Sequence, residues 1–157
     1  MDNTVLANII SAISATAAAV AAIAAWRAVK ASQRGVEAQI LLQLRTEFSS
    51  QLLHDAFRLL SDFKTTHGGD FVVQFRKHKE NNDQTFIDLN NARRVIKGYY
   101  LKVYHLQKAN IIDKQIIKSL ISDIQFDFMI GVLEPFEKVI AVGEYDDYLF
   151  QWASKNR

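Results

Sequence analysis

The sequence predicts an all-α protein: one N-terminal transmembrane helix that continues into a cytosolic helical bundle. Three observations lead there. Residues 4–26 read TVLANIISAISATAAAVAAIAAW, twenty-three in a row without a charge, glycine or proline, and at about 1.5 Å of rise each they span the hydrocarbon core of a bilayer. The whole chain has one proline and six glycines, too little turn punctuation for a sandwich or barrel. Beyond the apolar run, hydrophobic residues recur at helical spacing between capping residues. The expected domains are 1–34, the span with its basic flank, and 35–157, a bundle large enough for a single core.

The span is expected to stay in the chain and to set its orientation. AAIAAW offers small residues in a cleavable-looking arrangement, but the leading end carries Asp2 and no cation, unlike a secretory signal peptide. Arg27, Lys30 and Arg34 follow the run directly, and positive flanks stay on the cytoplasmic side. A single-pass protein of the cell membrane follows, N-terminus outside and C-terminal domain in the cytoplasm. Stepping at 100° per residue, Thr4, Asn8, Ser11, Ala15, Ala18, Ala22 and Ala25 share one small, partly polar stripe, the kind of surface that packs against another helix in lipid. With no second span in the chain, the simplest partner is another copy. Asn8, Ser11, Ala15, Ala18 and Ala22 are then candidate pore-lining residues of a tetramer or similar ring, the alanines forming a constriction that gates by dewetting. The plainer reading is an anchor whose alanines mean nothing.

The cytosolic elements follow in order. No proline or cap interrupts Trp26 to Phe48, so the span should continue as one helix, with Gly35 its only weak point. Ser49 and Ser50 are candidate N-caps of a helix over 51–65 that buries Leu52, Leu53, Phe57 and Leu60. THGGD is a turn. A short helix over 70–79 precedes the longest cytosolic helix, 84–109, which Asn110 can close in a left-handed cap. Asp113 caps a helix over 114–130 with Ile116, Ile117, Leu120, Ile124 and Phe128 on one stripe, ended by Gly131. Pro135 suits the first turn of the next helix; Gly143 stops it before an amphipathic end with Tyr148, Leu149 and Trp152.

Chemistry is sparse. With no cysteine, disulfides, thiolate metal sites and cysteine nucleophiles are excluded. There is no phosphate loop, nucleophile elbow or histidine pair at metal spacing, so the expectation is no enzyme, no catalytic residue, no metal and no cofactor. His54, His67, His78 and His105 read as surface or capping residues. Asp123, Asp127, Glu134, Glu137, Glu144, Asp146 and Asp147 read as a solvated face balancing the basic middle of the chain. The sharper signal is NARRVIKGYYLKVYHLQK, where Arg93, Lys97, Tyr100, Tyr104 and Lys108 share one stripe and Ala92, Val95, Ile96, Tyr99, Val103 and Leu106 the opposite, core-facing one. Aromatic faces interleaved with cations suit single-stranded nucleic acid, since bases stack on the rings while phosphates are neutralised beside them. Against this stands the simpler reading, in which the tyrosines pack under a neighbouring helix. Gly98 in mid-helix suggests close approach by a helix or ligand.

The order of features, with WRAVKASQRGVEAQILLQLRTEFSS after the span and ARRVIKGYYLKVYHLQKANIIDKQII later, resembles a bacterial and phage family of small membrane proteins, DUF4760. In that family the later segment usually has Asn, two aromatics and Glu, then a Gly-Ile-Ile/Leu-Asp turn. Here Gly98, Tyr99, Tyr100 and Leu101, then Asn110, Ile111, Ile112 and Asp113, stand in those places, so no role resting on that Asn or Glu carries over. Proteins of this build look like membrane effectors of bacterial anti-phage systems of the Hailong type, HalA-like channels held shut by a DNA oligomer that a partner nucleotidyltransferase makes. The resemblance implies a homo-oligomeric channel in the bacterial inner membrane, gated by an oligonucleotide on the Arg93–Lys108 stripe. The alternative is a non-conducting, membrane-tethered interaction protein that docks a cytosolic partner.

Overall fold

The computed structural model describes the backbone of residues 3–141 and 147–157, and side chains from Ala17 onward apart from Ala19 and 142–146. The described residues are helical, with no strand among them. By contacts the chain divides into two units, Met1–Leu41 and Leu42–Arg157.

With nothing in the sequence to cap or break it, α1 runs from Asn3 to Phe48, as expected, and passes through Gly35. In the first unit every described side chain from Ala17 to Gln39 is exposed, including Val20, Ile23, Trp26, Val29 and Val36. Lys30 lies over the Trp26 ring, 4.8 Å from its centroid, a contact one helical turn apart. Among the described residues no helix is long and apolar enough to cross a membrane. Of the expected pore, the side chains of Asn8, Ser11 and Ala15, like most in the 4–26 run, lie outside the described ones; Ala18 and Ala22 are exposed.

The second unit is a helical bundle. Helix α2 spans Gln51–His67, and Ser50 caps it by accepting the Leu53 amide. Its buried stripe is Leu53, Ala56, Leu60 and Phe63, spaced at 3, 4 and 3 residues as one helix face requires. Leu52, expected inside, is 67 % exposed, because it lies a full 100° round from Leu53. Gly68, at φ +54°, turns the chain through a 3-10 segment into α3, Phe71–Asn81. Asn82 closes α3 in the left-handed region. Asp83 caps α4, Gln84–Lys108, whose end is followed by the expected left-handed Asn110.

The expected helix over 114–130 is instead broken. Asp113 caps α5, Lys114–Leu120, then Ile121 takes extended geometry and Ser122 opens a reciprocal capping box with Gln125 into α6, Asp123–Phe128. Such a box satisfies orphan amides at both residues, so a new helix starts where the apolar stripe alone suggested continuity. The break turns Ile124 outward, to 80 % exposed, and puts Phe126 in the core. Gly131 does not end a helix either. It lies within a π-helical segment, Met129–Leu133, where the Glu134 amide donates to the Met129 carbonyl. Pro135 explains the widening: it offers no N–H to the Gly131 carbonyl, and its ring would clash there, so the helix loosens by one residue before α7, Glu134–Ile140. Gly143 is outside the described residues. Helix α8, Tyr148–Asn156, ends the chain.

The largest interface joins α2 to α4. Around it Leu44, Leu60, Phe75, Leu89, Ile96, Phe126 and Phe136 are at most 1 % exposed. Rings interlock at edge-to-face distances, Phe75 on Phe136 at 4.4 Å and Phe57 on Phe128 at 4.9 Å, arrangements that add about 0.5–1.5 kcal/mol each beyond burial.

Candidate functional site

The five residues of the basic and aromatic stripe do not share an open surface. Helix α4 meets α2, α3 and α8, so more than one of its faces is covered. Tyr100 is 0 % and Arg93 6 % exposed, whereas Lys97 and Tyr104 are half-buried and Lys108 exposed. This corrects the expected division of α4: Tyr100 and Arg93 belong to the interior. Val95, expected in the core, is only half-buried.

Arg93 is held from two sides. Its Nε and Nη2 donate to Asn90 Oδ1 at 3.0 and 2.8 Å, and Nη1 donates to Glu137 Oε1 on α7. Lys97 Nζ donates to the other carboxylate oxygen at 2.7 Å. Glu137 is itself 6 % exposed, so a carboxylate expected on a solvated face is a buried counter-ion for two cations one turn apart. Burial, with a smaller contribution from Arg94, lowers Arg93 to about 10, which leaves it fully cationic at neutral pH. Phosphate would have to displace a carboxylate already seated there.

The two central tyrosines are packed rather than presented. Tyr99 stacks obliquely on Phe48 at 5.5 Å, and Tyr100 meets Phe57 edge-on at 6.2 Å. Neither hydroxyl finds a hydrogen-bond partner. Burial, aided by Glu47, pushes Tyr99 up to about 12, and burial with Tyr99 beside it pushes Tyr100 higher still. Tyr104 is nearer the surface, in a cluster with Tyr148 at 5.1 Å and Trp152 at 5.9 Å, and Lys108 Nζ lies 5.8 Å over its ring. Of the stripe, only this end keeps an aromatic and a cation together outside the core. Gly98 is exposed, and a Cβ added there would meet nothing within 4 Å among the described residues, so no neighbouring element of the bundle accounts for it.

Several other ionisable groups have partners. His78 Nδ1 lies 2.7 Å from Asp83 Oδ2; that bond, then the Phe86 amide, holds the Asp83 carboxyl below its usual 3.8. Lys79 donates to the Val139 carbonyl at 2.6 Å near the end of α7. Asp127 pairs with Arg157 and Glu134 with Lys138, both at 2.8 Å, and His67 rests on the Phe63 ring at 4.5 Å. Among the described residues no three of these groups could hold a metal ion.

Sequence reasoning missed a groove between α2 and α4. Leu52, Ala56 and Leu59 line it from α2 and Ala92 and Val95 from α4, with Asp55 and Asp88 among the lining residues, and it encloses about 310 Å³. Leu59 and Asp88 also line an adjoining hollow of about 270 Å³ that Asp62 borders. The signal for it is the spacing of Leu52 and Leu59, two turns apart and off the buried stripe. Compared with known proteins, the chain matches no family model, no curated protein and no solved structure.

Proposed function

We propose that this chain is a membrane-tethered interaction protein: α1 is its anchor and the bundle of the second unit docks a partner. The observation that carries the reading is the uncovered α1. From Ala17 to Gln39 its described side chains, Val20, Ile23, Trp26, Val29 and Val36 among them, are exposed rather than packed in a core. Apolar surface left bare along many turns of helix is unfavourable in water by about 25 cal/mol per Å², so it calls for lipid or other protein. The charge-free sequence of 4–26 and the cations at 27, 30 and 34 suit a span with the bundle on the cytoplasmic side. Docking suits a domain with no metal cluster among its described residues and with an open apolar groove.

The second reading is an oligomeric, ligand-gated channel, an effector of bacterial anti-phage defence. Its support is the small face of α1, where Ala18, Ala22 and Ala25 are as uncovered as the bulky residues and so open to a neighbouring copy. One experiment weighs both. The full chain is produced in bacterial membranes, washed with alkaline carbonate, then reconstituted for ion-flux measurement with and without short single-stranded DNA. Retention without flux supports the tether. Flux that Asn8→Leu or Ser11→Leu abolishes supports the channel. A chain released by carbonate overturns both.

A further inference from the structure

The groove on α2 and α4 specifies its occupant. On α2, Leu52 and Leu59 are 67 % and 40 % exposed and stand seven residues apart, about 10 Å along the helix. Val95 and Ala92 face the same hollow from α4. This is the geometry that receives an amphipathic helix through apolar anchors at i, i+3 or i+4, and i+7. Three carboxylates border the two adjoining hollows, Asp55, Asp62 and Asp88, and among the described residues no lysine or arginine lines either one. Asp55 takes a hydrogen bond from Arg58 at 3.0 Å, but that pair is exposed, at 45 % and 69 %, and such pairs contribute little. A second copy docked groove to groove would set these carboxylates against their own counterparts, which is unfavourable.

Resting on the reading of the chain as an interaction protein, we infer that the α2/α4 groove binds a cationic amphipathic helix of a partner protein, with leucine-type anchors over Leu52, Leu59 and Val95 and lysines or arginines facing Asp55, Asp62 and Asp88. The apolar anchors hold the complex, and the charges set its direction, association rate and salt dependence.

The test uses the full chain in nanodiscs of neutral phosphatidylcholine, with empty discs as reference. The probe is a fluorescent peptide of about four helical turns bearing leucines at i, i+3, i+4 and i+7 and lysines elsewhere; its twin replaces every lysine by glutamate. Expected is anisotropy-detected binding above the empty discs, weaker at high salt and roughly tenfold or more tighter than for the twin. Replacing Asp55, Asp62 and Asp88 together by Asn should lose most of that preference, and Leu52→Asp, at an exposed position that leaves the core intact, should abolish binding of both peptides. Equal binding of the two peptides, or lysine-peptide binding that survives Leu52→Asp, overturns the inference. If the chain does not enter the discs, the tether reading fails, and the same titrations on the chain free in solution still decide the groove.

Discussion

Glu137→Gln is expected to cost more stability than any other single change of a charged residue in the bundle. The carboxylate side chain is 8 % exposed and accepts from Arg93, itself 7 % exposed, and from Lys97 at 2.7 Å. The substitution keeps shape and removes charge, stranding Arg93 in the interior. Breaking a buried pair by removing one partner costs roughly 3–5 kcal/mol. Lys97 is 34 % exposed and can turn to water, so it adds little. At about 3–6 °C per kcal/mol for a domain of this size, the melting temperature should fall by roughly 10–30 °C. Arg93→Met should cost less, about half as much, because Lys97 remains to pair with Glu137. The double variant Arg93→Met with Glu137→Leu should return close to the parent, since apolar groups of similar volume replace a buried pair at little cost. Circular-dichroism melts of the detergent-purified chain measure all three. The reasoning is refuted if Glu137→Gln melts within a few degrees of the parent, if Arg93→Met is the worse of the two, or if the double variant shows the sum of both losses.

Gly98→Ala should stabilise by about 0.5–1 kcal/mol, read as a higher urea midpoint, because the position is exposed and helical with open space around it. Tyr100→Phe should be neutral to stabilising, by up to about 1 kcal/mol, since it removes a buried hydroxyl that has no partner; a loss of about 2 kcal/mol or more by chemical denaturation would contradict that. Asp83 titrates below 3.8 in the folded chain. Its contribution is therefore fully present above that value and disappears as the pH falls through the lowered folded value. Asp83→Ala should lower the melting point at neutral pH and flatten its fall on acidification, checked by melts across the acid range. If the chain takes single-stranded DNA, Tyr104→Ala should weaken it by roughly 1–3 kcal/mol while Tyr100→Phe leaves affinity unchanged, measured by anisotropy.

Local signals in the sequence were sufficient for most of the fold. Ser50 and Asp113 each cap the helix expected to follow them, and Asn110 takes the expected left-handed conformation, because capping depends on a side chain reaching an amide two or three residues on. The break at Ile121–Ser122 was also locally encoded, as a Ser-x-x-Gln box, but the apolar stripe running across it gave the opposite indication. The π segment needed two facts held together, Gly131 and the missing N–H of Pro135. The faces of α4 were the least legible. Helical periodicity distinguishes two sides when one neighbour covers a helix; α4 has neighbours on several, and Arg93 can be interior only because Glu137, 44 residues away, is there to receive it. A long-range ion pair leaves no local trace.

The same burial bears on where this domain can act. A stacking platform for bases needs ring faces open to solvent and cations whose charge is unclaimed. On α4, Tyr100 is committed to Phe57 and Arg93 to Glu137, and these commitments hold the α2–α4 and α4–α7 packing together. Leu52 and Leu59 stand in the opposite position. The fold gains nothing from their exposure, since burying what each still exposes would be worth about 0.5–2 kcal/mol, and the buried stripe of α2 is complete without them. Apolar groups left outside a finished core, beside carboxylates with no lysine or arginine among the described lining residues, are better accounted for by a partner than by the chain's own folding. On these grounds the inferred partner helix is placed in the groove rather than on the stripe first suggested by the sequence.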